Sequence, residues 1–266
     1  MEPMSLLIVL PVIAGLLAGW LVNYLADVLP RIRRFSPPTC LHCDAFLSPI
    51  QYLSMSKCPT CGRHRSLRAW TVQILGLVLS LLLWFQPHPK LGYFFGLFVL
   101  VYFAVVFVID LEHRLVLHPV SVFGAFLGLG VGWLLRGFGP TLLGGLAGFG
   151  IMLVFYLFGI LFARIRARKM RAAGQETDDE EALGAGDVIL AGILGLILGW
   201  PLIWFGLLVG ILLGGLISIP MLVIMVVARR YKQEAWMTFI PYGPFLLISA
   251  ALIVYLPDLL SALVPK

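Results

Sequence analysis

Gly184-Ala185-Gly186-Asp187, followed without a break by the apolar run Val188 to Trp200, is the stretch that decides how this chain is read. A membrane-spanning helix needs roughly 17 to 25 apolar residues. The run alone is too short, so the Gly-Ala-Gly-Asp segment has to be counted with it. Asp187 then lies at, or just inside, one membrane edge, behind the charged run Asp178-Asp179-Glu180-Glu181. A carboxylate there is expensive and marks a functional site with a partner to be found. Gly184 and Gly186 allow a second backbone to come close, as small residues do where membrane helices pack. One other acid is placed alike: Asp110, at the end of the apolar run Leu91 to Ile109.

The rest of the chain supports a membrane setting. It has 266 residues, 61% hydrophobic and 12% charged, with a mean hydropathy of +1.00. An ordinary soluble protein is about 25% charged. The composition therefore predicts an all-α, polytopic membrane bundle and excludes a sizeable separate soluble domain. The net charge of +6 is not read as nucleic-acid binding, because the charges sit between apolar runs rather than on a soluble face. The first run, Ser5 to Ala26, is too long and lacks the basic start of a cleavable signal, so it reads as a retained span.

Eight apolar runs emerge, at about 5–29, 69–86, 91–109, 117–135, 140–163, 183–200, 202–228 and 243–264. This organisation predicts a first span over 1–29, a small loop over 30–68, and a core of seven further spans over 69–266. Lys and Arg set the orientation. Sixteen of the 19 lie in the loop after the first span, at Arg114, between Arg164 and Arg171, or at Arg229, Arg230 and Lys232; Lys90, Arg136 and Lys266 fall on the other side. Both termini are thus expected away from the cytoplasm. The same topology brings Asp110 and Asp187 to the cytoplasmic edge. Trp84, Trp133, Trp200 and Trp236 near span ends read as interfacial anchors in contact with membrane lipid. Asp27, near the end of the first span, snorkels to the interface or pairs with a nearby arginine.

Cys40, Cys43, Cys58 and Cys61 are the four cysteines, spaced C-x2-C-x14-C-x2-C in the cytoplasmic loop. Two such pairs supply four thiolates for tetrahedral zinc, and four protein ligands leave no open position, so the metal would be structural. A cytoplasmic loop disfavours disulfides. Pro59 and Gly62 suit a tight turn around the second pair. His42 and His64 read as solvated.

Two carboxylates in a poorly solvated site cannot both ionise cheaply, so they share a proton. One can then take a proton from water while the other polarises a carbonyl, as an aspartic protease requires. Each acid also has a simpler reading: Asp110 as a solvated acid past a helix end, Asp187 as an acid complementing a helix dipole.

Gly184-Ala185-Gly186-Asp187 matches the GxGD motif of intramembrane aspartic proteases, and with Ile109-Asp110-Leu111-Glu112-His113 the pair resembles that of the bacterial type IV prepilin peptidases. Ile240-Pro241-Tyr242-Gly243-Pro244-Phe245 resembles that family's pattern before its last span. The resemblance implies that Asp110 and Asp187 are the catalytic dyad, with the Pro241-Tyr242-Gly243-Pro244 turn shaping its wall. It implies cleavage of the basic leader of prepilin or pseudopilin substrates, which enter as a helix with the leader on the cytoplasmic side. The acidic run 178–181 is then either a solvated loop or an attractor for that leader. The chain departs from the family at Ile189, where a Lys is usual, and at Gln73, where a Glu is usual. The family also links the cysteine loop to N-methylation of the new amino terminus with S-adenosylmethionine; Gln73 and the short spacer leave that second activity open. Two other classes compete: a proton- or ion-coupled transporter, which needs a polar path across the membrane, and a catalytically silent scaffold that docks through its zinc loop.

Overall fold

The computed structural model describes residues 3–172, 184–227 and 242–257. Among them every regular element is a helix, with isolated bridges at Thr39–Phe46 and His88–Gly92. Six helices are long and apolar enough to cross a membrane, and two more are apolar but shorter. The chain is a multi-pass, all-α membrane protein. The motif residue Pro241, the acidic run 178–181, Trp236, and the basic residues Arg229, Arg230, Lys232 and Lys266 lie outside the described residues. Packing divides the chain into two compact units, Met1–Leu115 and Val116–Lys266.

In the first unit, α1 (Pro3–Ile32) packs against α3 (Leu67–Phe85) and α4 (Gly92–His113), with the short α2 (Pro49–Leu53) in the loop between α1 and α3. Lipid offers helices no hydrophobic reason to associate, so close packing and side-chain hydrogen bonds must hold them. The α1–α3 seam has both. Ser80 donates to the Pro11 carbonyl at 2.7 Å, Gln73 Nε2 to the Leu16 carbonyl at 2.7 Å, and Asn23 Nδ2 back to the Ala69 carbonyl at 3.0 Å. Helix α2 starts with a capping box, Ser48 and Gln51 bonding each other's backbone N–H.

The second unit contains α5 (His118–Arg136), α6 (Phe138–Ala172), α7 (Ala185–Leu198), α8 (Leu202–Val227) and α9 (Gly243–Tyr255). Helix α7 has 14 residues and is roughly 21 Å long, short of the roughly 30 Å hydrocarbon core. It is apolar all round, as a fully enclosed helix should be. Val188, Leu190, Ala191, Ile193, Leu194, Ile197 and Leu198 are all buried, and α5, α6, α8 and α9 all pack against it. Its closest neighbour is α6. A Cβ on Gly144 would stand 2.3 Å from the Gly195 carbonyl oxygen, and one on Gly195 would stand 2.2 Å from that of Gly144. Glycine at both positions lets the two backbones touch.

Candidate functional site

The loop between α1 and α3 is built from two copies of one turn. In each, a cysteine carbonyl accepts from the N–H four residues on: Asp44 N–H to Cys40 at 3.0 Å, and Gly62 N–H to Cys58 at 2.9 Å. In each, the same cysteine donates its own N–H to the residue five on, Cys40 to Ala45 and Cys58 to Arg63. The turn needs a left-handed residue in its fourth place. Gly62 supplies φ +69° and Asp44 φ +54°, the latter being a residue type that tolerates this region. Sequence reading noted Gly62 and missed its counterpart Asp44, whose signal is its equal offset from the first cysteine of its pair.

These turns bring all four sulfurs within 4.8 Å of one another. Cys40 Sγ lies 3.7 Å from Cys61 Sγ, and Cys43 Sγ lies 3.7 Å from Cys58 Sγ. A disulfide would need about 2.05 Å. A tetrahedron of sulfurs with metal–sulfur bonds of about 2.3 Å has edges of about 3.8 Å, so the cluster fits a zinc-sized ion. Backbone N–H groups of Cys61 and Thr60 stabilise the Cys58 thiolate and lower that thiol to about 6. Donor type, number and spacing thus suit Cys40, Cys43, Cys58 and Cys61 to hold zinc, which would cross-link the loop and supply no reactive position. His42 and His64 are exposed and outside the cluster.

The cysteine cluster rests on an apolar floor. Cys40, Leu47, Tyr52 and Cys58 form one buried group, packed by Trp20 and Tyr24 of α1. Trp20 and Tyr24 stack at 5.8 Å, and the Tyr52 ring stands edge-on to both. The Tyr52 hydroxyl donates to Asp27, and Arg65 lies 3.9 Å above its ring. Asp27 also pairs with Arg65 at 3.3 Å and with Arg68. The acid that sequence reading placed either at the interface or with an arginine is therefore paired with two.

Asp110 lies in the last turn of α4, not beyond it, and is only 4% exposed. Its backbone carbonyl accepts from Arg114, whose left-handed φ of +52° ends the helix. Its side-chain Oδ2 is buried and has no hydrogen-bond partner among the described residues. The reading of Asp110 as a solvated acid fails on this burial.

Asp187 lies in the first turn of α7 and is 9% exposed. Gly184 is the N-cap, its extended backbone accepting the Asp187 N–H at 3.0 Å. Gly186 faces Val116, whose Cγ2 would come within 2.7 Å of any added Cβ. A carboxylate in this turn complements the helix dipole, and it is buried as well. The start of α9 comes near: Tyr242 lies within electrostatic reach of Asp187, while Gly243 and Pro244 are buried in the first turn.

Residues 96–219, a little under half of the chain, match the model of the type IV leader peptidase family. Over this stretch the chain is similar to that family. Both Asp110 and Asp187 fall inside it; the four cysteines lie before it. No curated protein and no solved structure matches. The described helices have the length and composition of a multi-pass membrane protein. Four buried polar residues within the described helices, Ser80, Ser121, Thr141 and Ser249, donate to carbonyls of a neighbouring helix or of the residue just before their own helix.

Proposed function

We propose that the protein is an aspartic endopeptidase that removes the basic leader of prepilin-like or pseudopilin substrates at the cytoplasmic face of the membrane, with Asp110 and Asp187 as its two catalytic acids. One observation carries this reading: the family match includes Asp110 and Asp187, and both are buried at helix ends inside apolar helices. The chemistry uses one acid of each kind. The ionised carboxylate takes a proton from water as its oxygen attacks the scissile carbonyl, and the protonated one donates to the carbonyl oxygen. Collapse of the tetrahedral intermediate breaks the C–N bond, with a proton delivered to the leaving amine.

The basic residues of the connections support a cytoplasmic side at the loop of 30–68, with both termini on the other side. Zinc held by Cys40, Cys43, Cys58 and Cys61 would brace that loop. Transfer of a methyl group from S-adenosylmethionine to the new amino terminus is the second activity that the resemblance implies, and labelled methyl incorporation into the cleaved product decides it. The peptidase reading is tested by cleavage of a prepilin-like substrate in membranes by wild type, Asp110→Asn and Asp187→Asn at matched protein levels. Each variant should lose about 10²- to 10⁴-fold, the range for removing a positioned acid or base. Near wild-type cleavage by either one removes the two-acid mechanism, and an inactive wild type returns the transporter and scaffold readings.

A further inference from the structure

Four charged side chains of the first unit form a continuous network that the two-acid chemistry does not use. Asp27 on α1 is buried and accepts from Tyr52 and Arg68, with Arg65 at 3.3 Å. Arg68 sits at the start of α3, its side chain 18% exposed, and its NH1 also reaches Asn23 Oδ1 at 3.5 Å. From Arg68 the network continues to α4: Arg68 Nε lies 3.0 Å from Glu112 Oε1, in an ionic contact without hydrogen-bond alignment. Two acids and two arginines balance, as buried charge requires. Each helix of the unit contributes a member, and Tyr52 attaches the floor of the cysteine cluster to the same carboxylate.

The α4 end of this network lies two residues beyond Asp110. Helix α4 ends one residue after Glu112, and a last turn without a lateral contact is free to fray. We propose that Arg68 and Glu112 are positioning residues: their ion pair, anchored on Asp27, holds the final turn of α4 against α1 and α3 and so sets where the Asp110 carboxylate stands. This rests on Asp110 being one of the two catalytic acids. Positioning matters because displacing a reacting group by about 1 Å costs on the order of 10²-fold in rate.

Glu112→Gln is the principal test, since its side chain is 35% exposed and Arg68 keeps Asp27 as a partner when it is lost. With the full-length protein in membranes, its kcat should fall about 10- to 100-fold with KM within twofold of wild type. Bound zinc and the thermal midpoint should stay at wild-type values, and Glu112→Asp, which keeps the charge, should recover a third or more of the rate. Arg68→Gln with Glu112→Gln should be no slower than Arg68→Gln alone, as expected for two members of one contact. The proposal is overturned if Glu112→Gln retains kcat within twofold, if its loss lies in KM, or if the loss follows a fall in zinc or thermal midpoint. If Asp110→Asn is inactive while Glu112→Gln is fully active, only this inference fails. If Asp110→Asn still cleaves, the two-acid reading fails first.

Discussion

Asp27 and Asp110 show what burial asks of a carboxylate in a membrane helix. An isolated charge there is costly, so it must be paired, neutralised or used. Asp27 is paired, with Arg65, Arg68 and the Tyr52 hydroxyl around it. Asp110 has a buried oxygen without such a set among the described residues, as the proposed catalytic role asks of it. Gln73 is a second case. Its amide donates to the Leu16 carbonyl across the α1–α3 seam, a bond that an ionised Glu, having only acceptors, cannot make. The cysteines support a prediction at this scale. Wild type should bind one zinc per chain, whereas Cys40→Ser or Cys58→Ser, which remove buried ligands, should bind almost none and expose residues 33–66 to protease. Metal analysis and limited proteolysis measure both, and full zinc retention by either variant would refute the four-thiolate site.

At the scale of elements, the contact between α6 and α7 is the most demanding. Asp187 is carried by a helix too short to take its place by spanning, so its position depends on the neighbours that enclose it. Gly144 and Gly195 set how near α6 comes. Gly195→Val forces the backbones apart, and overpacking of this kind costs about 1–3 kcal/mol or more. The expected result is a lower thermal midpoint in detergent together with reduced cleavage. Gly150→Ala, on α6 with nothing within 4 Å of an added Cβ, should leave both unchanged. Equal behaviour of the two variants would mean that the seam does not hold α7.

At the scale of the whole molecule, the basic residues predict one orientation. A phosphatase reporter, active only outside the cytoplasm, should be active when fused after Lys266 and inactive when placed after Arg63. The reverse pattern would put the candidate acids on the wrong face. Much of the molecule was open to reading from the sequence. Long apolar runs declare spans because only a helix satisfies its backbone in lipid, and the paired cysteines declare a candidate metal site because their spacing is short and local. Asp110 and Asp187 stood out as acids at the ends of apolar runs. The network from Tyr52 through Asp27 and Arg68 to Glu112 did not, since its bonded members are 25 to 44 residues apart along the chain and no local pattern marks a partner so distant. Nor did the central place of α7, because a helix apolar on every side reads alike whether lipid or other helices surround it. Sequence alone determined the membrane class, the spans and the candidate chemistry, all set by composition and short-range spacing. The tertiary structure decided which buried acid is ion-paired, which oxygen lacks a hydrogen-bond partner among the described residues and which helix is enclosed, because those depend on contacts between segments far apart in the chain.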